Sequence, residues 1–306
     1  MNVFLTGATG QVGSGVLDAT IKGGHRVTAM ARDPEKADRL AQVGAIPVIS
    51  ELGLFKKYVG GVAAADAVVH CAMESSPRGI DKERQALETM LSAQQQASAA
   101  DGKSRVFVYT SGVWVLGRTV KAAEEDAALD PPDYVKWRPA HEEMVLSAAS
   151  PSLRTVVVRP GITYGGGRGI VADLIKDALN GLIRVVGPGK NRWSCVYAHD
   201  LGDLYVRIIE SPTATGVIHG TDEADERVMD IAEAIAEHVP QRPDIRNMPM
   251  TEAHKKLGAY ADALALDQKV RSPKARALGW EPTQAGVINS VARLVEEFRN
   301  AQRDKD

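Results

Sequence analysis

Gly7, Gly10 and Gly13 recur at every third position of Thr6-Gly7-Ala8-Thr9-Gly10-Gln11-Val12-Gly13, directly after the apolar run Val3-Phe4-Leu5. A dinucleotide needs this order of parts. One glycine permits a tight turn, one lets the backbone approach a pyrophosphate, and one lets the next helix sit close to the strand. A helical pattern follows through Val12, Val16, Leu17 and Ile21, and the N–H groups at its start face the phosphate charge. Residues Gly7, Ala8, Thr9, Gly10, Gln11, Val12 and Gly13 are therefore the expected phosphate-binding turn. The end of the second strand bears on which dinucleotide is bound. A carboxylate there accepts hydrogen bonds from both ribose hydroxyls and repels a 2′-phosphate. Counted from His25, that position is Ala31, and Arg32 follows it. A guanidinium pairs with phosphate in a bidentate way and stacks on adenine. Arg32 predicts a preference for NADP(H), with NAD(H) admissible and Asp33 a nearby carboxylate able to turn toward a ribose.

Strands and helices must alternate to hold such a turn, and the sequence alternates. Strands are predicted at about 2–6, 25–30, 45–49, 66–72, 105–110 and 155–159, with helices from 11, 34–40, 80–100 and 134–149. This rhythm implies right-handed βαβ units and an α/β, Rossmann-type, doubly wound parallel sheet. Gln94-Gln95-Gln96 reads as a solvated helix face. After Pro160 the rhythm changes. A loop Gly165-Gly166-Gly167-Arg168-Gly169 precedes a helix at 170–179, then come strand-like pieces at 183–186 and 194–197. A helix at 201–209 follows, with Asp200 as its expected cap, and then a last sheet strand at 216–220. The remaining residues, punctuated by prolines, read as a smaller subdomain closing over the carboxyl ends of the strands. The expected division is a dinucleotide-binding unit at 1–161 and 195–220, and a substrate-binding subdomain at 162–194 and 221–306.

Composition narrows the field. A chain of 306 residues with 44% hydrophobic and 25% charged residues can bury a substantial core. A net charge of -2 gives no footprint for nucleic acid or a membrane surface. No apolar run approaches the ~18 residues of a membrane span. A first strand beginning near Asn2 leaves no room for a leader peptide. Cys71 and Cys195 lie far apart with no metal-type spacing, so no metal is expected and a reducing cytoplasm is the simplest compartment.

Together these segments resemble the extended short-chain dehydrogenase/reductase superfamily, specifically its NAD(P)-dependent epimerase/dehydratase-like branch. The glycine turn is similar to its nucleotide motif, and Val69-His70-Cys71-Ala72 to the fourth-strand segment that supports the adenine side. Val108-Tyr109-Thr110-Ser111-Gly112 with Gly117 resembles the strand that carries a catalytic Ser or Thr. Arg159-Pro160-Gly161-Ile162-Thr163-Tyr164-Gly165 resembles the segment passing under the nicotinamide. Trp193 to Leu201 resembles the later strand-to-helix junction, and Leu278-Gly279-Trp280-Glu281-Pro282 the C-terminal signature. The likeness covers nearly the whole chain and implies cofactor contacts from Cys71, Ala72, Pro160, Gly161 and Ile162.

The resemblance also implies a reaction. In this superfamily a Tyr, lowered in pKa by a Lys four residues later, passes a proton while a hydride moves to or from nicotinamide. Glu142, matching a helix Glu eight residues after that Tyr, puts Tyr134 at the acid/base position and Arg138 at the Lys position. Arg138 is then expected to supply positive charge and bond the ribose, with a wider fork than Lys has. Lys136 points away on a helix. Five residues before Gly117, the catalytic hydroxyl position falls on Gly112. Ser111, one residue earlier, meets the substrate oxygen only if the strand shifts, and Thr110 is the next hydroxyl back. His141 follows Arg138 by one helical turn and is expected mainly to pack.

Trp114 and Tyr164 are expected to line the substrate pocket. Relatives acting on nucleotide-diphospho-sugars place an Arg where this chain has Trp193, although Arg192 adjoins it. A bulky aromatic there favours a small, largely apolar carbonyl or alcohol. The reading is an NADP(H)-dependent oxidoreductase using Tyr134, Ser111 and Arg138. Two readings compete with it. One is an epimerase or dehydratase of a sugar-like substrate that retains NAD(P), and the other a non-catalytic NAD(P)-sensing regulator. A homodimer is expected, with Ile80, Leu87, Met90, Leu91, Met144 and Val145 as apolar interface material.

Overall fold

The structure, a computed structural model, describes residues 1–303. The last three residues assigned above to the substrate subdomain, 304–306, lie outside the described residues. The strands are β1 (Asn2–Thr6), β2 (Arg26–Ala31), β3 (Ile46–Ile49), β4 (Ala67–His70), β5 (Arg105–Thr110), β6 (Leu153–Pro160), β7 (Ile162–Tyr164), β8 (Leu182–Val186), β9 (Arg192–Trp193), β10 (Cys195–Tyr197), β11 (Gly216–Gly220), β12 (Glu226–Arg227) and β13 (Asp244–Met248). The helices are α1 (Gln11–Lys22), α2 (Pro34–Gln42), α3 (Val59–Ala64), α4 (Gly79–Asp101), α5 (Arg138–Ser147), α6 (Gly169–Leu179), α7 (Ala198–Glu210), α8 (Val228–His238), α9 (Met250–Leu257), α10 (Tyr260–Leu264), α11 (Pro273–Ala277) and α12 (Val291–Arg303).

Seven strands form one parallel sheet in the order β11-β6-β5-β4-β1-β2-β3. The order reverses between β1 and β4, which opens a crevice at their carboxyl ends. Alternate strand residues feed opposite faces of the sheet. Val3, Leu5, Val69 and Val108 meet Val16, Leu201 and Ile208 on one side, while Phe4, Val68 and Phe107 meet Leu87, Met90 and Val145 on the other. A further apolar cluster gathers Ile175 of α6, Ile183 of β8, Ile231 and Ile235 of α8, and Leu294 and Phe298 of α12.

Helices α1 and α7 touch backbone to backbone. A Cβ on Gly15 would lie 2.2 Å from the Ala198 carbonyl oxygen, and one on Gly202 would lie 2.2 Å from that of Gly15. Glycine is required at both positions because no side-chain movement can relieve a clash between backbones.

Local expectations fail at several points, each for a physical reason. Helix α5 starts at Arg138, not at Tyr134, because Pro139 cannot donate the hydrogen bond that an earlier start would need from residue 139 to residue 135. Gln94 is buried rather than solvated, and donates to the Val62 carbonyl and, at 3.2 Å, to that of Ala65. Asp200 lies inside the first turn of α7 instead of capping it, and its carboxylate accepts from Thr283 Oγ1 at 2.7 Å and the Gln284 N–H at 3.1 Å. Of the residues read as interface material, Leu87, Met90, Leu91 and Val145 are buried in the chain's own core.

Candidate functional site

The turn between β1 and α1 has the geometry its glycines promise. Gly7 has φ of +71°. A Cβ on Gly7 would lie 2.6 Å from the Cys71 carbonyl carbon, and one on Gly13 only 2.1 Å from the Gly7 oxygen. Gly10 caps α1 without a side-chain hydrogen bond, and no acidic residue stands in the first turn. The N–H groups there are thus left for an anion. Cys71 and Ala72 lie beside this turn. The Ala72 N–H donates to Thr6 Oγ1 at 3.3 Å, and the Cys71 thiol, 3.2 Å from Thr110 Oγ1, has its pKa pushed up to about 12 by burial.

Arg32 is exposed just beyond β2. Asp33, the carboxylate that threatened to take the ribose, is engaged elsewhere. It caps α2, accepting from the Lys36 N–H at 2.9 Å and pairing with the Lys36 ammonium.

A cavity of about 700 Å³ opens at the carboxyl end of the sheet. Gln11 and Val12 line it from α1, Pro160, Gly161 and Ile162 from the end of β6, and Gly169 and Ile170 from α6. Ser111, Trp114, Tyr134 and Arg138 face the same space. Tyr134 sits in the turn before α5, with its ring centroid 4.9 Å from that of Tyr260 and 6.1 Å from that of Trp114. Arg138 donates to the Thr110 carbonyl at 3.1 Å and to the Tyr109 hydroxyl at 3.3 Å, with its guanidinium 4.5 Å from the Trp137 ring centre. The Tyr109 hydroxyl in turn donates to buried Glu83 at 2.9 Å. Burial opposes ionisation of Glu83, but the neighbouring His141, His70 and Arg138 outweigh it and hold its pKa below the usual value.

Ser111 reaches the cavity wall, but its proton is committed. It donates to Glu142, which also accepts from Arg159 Nε at 3.1 and 3.2 Å. All three side chains are buried. Gly112, at the position where a catalytic hydroxyl is expected, lines the cavity with no side chain.

Residues 3–219 match the description of the NAD dependent epimerase/dehydratase family. The chain belongs to that family. Uncharacterized protein YLL056C of Saccharomyces cerevisiae is 28% identical over 306 aligned positions, covering 95% of this chain and 98% of the yeast protein. A sterol-4-alpha-carboxylate 3-dehydrogenase (decarboxylating) of Dictyostelium discoideum is 27% identical, over 72% of this chain and 71% of that protein. Human epimerase family protein SDR39U1, solved with NADPH, superposes with a TM-score of 0.76 at 19% identity, covering 97% of this chain and 99% of the human one. Other structural neighbours were solved with NAD.

Within this epimerase/dehydratase chain, an NAD(P)-binding fold and a cavity adjoin, but two residues expected to line that cavity lie elsewhere. Tyr164 does not line the cavity. Pairing of β7 with β10 turns it into the second apolar cluster, fully buried and 5.7 Å from the Tyr197 ring. Trp193 is also buried, and its Nε1 donates to the Leu264 carbonyl at 3.0 Å. It braces the end of α10 instead of forming a pocket wall. Arg192 is turned to Asp267, which accepts its backbone N–H at 2.8 Å. His141 is buried against Trp137, 4.0 Å from Glu83, and packs as expected.

Tyr260 is the main residue that sequence reasoning missed. It enters from α10, in the proline-punctuated region where no periodic pattern marks a site. Trp137, Ile80 and the Met73 to Pro77 loop also line the cavity. Adjacency to Arg138 was the only available signal for Trp137.

Proposed function

We propose that this chain is an NADP(H)-dependent oxidoreductase that moves a hydride between nicotinamide and a small, largely apolar carbonyl or alcohol. The cavity wall carries this reading. Trp114, Tyr134, Trp137 and Tyr260 supply aromatic surface and Ile80 and Ile170 aliphatic surface, while Arg138 is the one lysine or arginine among the described lining residues. A sugar nucleotide would bring a diphosphate, for which guanidinium clamps are the usual partners. The name of the Dictyostelium relative, a sterol dehydrogenase, fits a family site able to accept an apolar substrate.

NADP(H) preference follows from Arg32 beside a vacated ribose-carboxylate position, now that Asp33 is engaged with Lys36. When bound, the dinucleotide supplies or receives the hydride. Tyr134 passes the proton to or from the substrate oxygen, and Arg138 brings a positive charge to the same cavity. Ser111, with its proton held by Glu142, can accept a hydrogen bond from a substrate hydroxyl. Residues 1–161 and 195–220 would hold the nucleotide, and 162–194 with 221 onward would shape the substrate side.

The deciding experiment is NADPH consumption by the purified full-length chain against a panel of aromatic and aliphatic aldehydes and ketones. Turnover with NADPH faster than with NADH is expected. Nucleotide binding without turnover of any panel member would favour a nucleotide-sensing regulator.

A further inference from the structure

The loop Gly165-Gly166-Gly167-Arg168-Gly169 has no part in the chemistry above, yet it lies across the phosphate turn. Its four glycines have φ of +102°, +64°, +65° and +79°, a left-handed run that side-chain-bearing residues rarely adopt. Three contacts tie it down. Gln11 Nε2 donates to the Gly165 carbonyl at 2.9 Å, the Gly166 N–H donates to Glu297 Oε2 at 2.8 Å, and the Arg168 guanidinium donates to the Thr9 carbonyl at 2.6 Å. Two of the three anchors therefore belong to the phosphate turn itself. Arg168 is the only residue of the strap with a side chain. It is exposed, and its hydrogen bond among the described residues goes to a neutral carbonyl rather than to a carboxylate. A full positive charge is thus held beside Thr9 with no ion-pair partner among the described residues.

We infer that Arg168 is a clasp for the cofactor, contributing a guanidinium to the pyrophosphate site from outside the βαβ unit that carries the glycine motif. The inference rests on the dinucleotide reading of the turn. Exchanging the Thr9 carbonyl for a phosphate oxygen turns a neutral-acceptor bond into a charge-assisted pair, which is shorter and stronger. An exposed side chain gives up little solvation to do so, and the strap's glycines permit the backbone to follow. Arg168 is anchored at Thr9 within the turn, whereas Arg32 stands just beyond β2.

The test is NADPH binding to the full-length chain, followed by cofactor fluorescence at equilibrium and after rapid dilution. Arg168→Ala should raise Kd about tenfold or more, mainly through faster release, and should weaken the salt dependence of binding. Arg168→Lys should recover part of the loss. Arg168→Ala with the parent's Kd and release rate, and the parent's melting temperature, would overturn the clasp. Failure of the unsubstituted chain to bind NADPH or NADH would overturn the cofactor reading itself and the clasp with it, so the two failures are distinguishable.

Discussion

Ser111 gives its hydroxyl proton to Glu142, and Glu142 is held by Arg159 through the same carboxylate. The residue expected to steady the substrate oxygen is therefore part of a buried ionic group that ties the end of β5 to α5 and β6. Glu142→Ala leaves the Arg159 charge buried without its partner and should cost about 3–5 kcal/mol in urea unfolding. Ser111→Ala removes one donor and should cost about 1–3 kcal/mol. A Glu142→Ala chain as stable as the parent would contradict the burial of this pair.

Tyr134→Phe keeps the ring among Trp114 and Tyr260 and removes only the hydroxyl. Turnover should fall by at least about a hundredfold, the lower range for a lost general acid, while NADPH affinity stays near the parent value. Steady-state kinetics beside equilibrium binding reads both quantities. Full activity in Tyr134→Phe would transfer the proton to another group, with Tyr260 the nearest phenol.

Arg32→Ala should weaken NADPH by about 1.5–3 kcal/mol while leaving NADH almost unchanged, because one charge-assisted phosphate contact is lost. Calorimetric titration of both nucleotides reads the difference. Parent chains that bind the two equally would remove the basis for NADP(H) preference.

Stability should depend on pH with two opposing slopes. Burial lowers His70 and His219 to about 4, so the unfolded chain binds more protons below the ordinary histidine pKa of 6.5. Their contribution is present above 6.5 and is lost as pH falls toward 4. Asp222 behaves oppositely. Burial first, then the charges of Glu226 and Asp225, raise it from 3.8 to about 7, against a lowering hydrogen bond from the Ala224 N–H. Its contribution is complete below 3.8 and is lost as pH rises through about 7. Asp222→Asn should therefore raise the melting temperature at pH above about 8 relative to the parent, and narrow that gain as the solution is acidified. An equal shift at all pH values would exclude titration of Asp222 as the cause.

What was legible in the sequence was local. The glycine turn, the strand at 105–110 and the last sheet strand at 216–220 were read with their observed bounds, because apolar content and turn residues fix them without help from distant chain. Tyr164 and Trp193 lie on short strands just outside the predicted ranges 155–159 and 194–197, and they face surroundings other than the expected pocket. Which way a short strand faces depends on its partner, and the partners β10 and β12 are remote in sequence. Tyr134 meets the cavity from a turn rather than from the expected helix, so it and Arg138 line one space without sharing a helix. Tyr260 could not be read at all, because its place beside Tyr134 arises only when α10 folds over the cavity.

The glycine-to-glycine contact of α1 with α7 has a consequence for how such a protein diversifies. Helix α7 follows directly on β10, whose Cys195 and Tyr197 belong to the second apolar cluster, while Leu201 and Leu204 belong to the first. The helix that presents the phosphate turn is thus keyed by its backbone to an element rooted in both clusters. Neither can shift toward the other without clashing main chain against main chain. Novelty is left to the side chains that fringe the cavity, and an exchange at Trp114 or Tyr260 recuts the pocket while the nucleotide seat stays where it was.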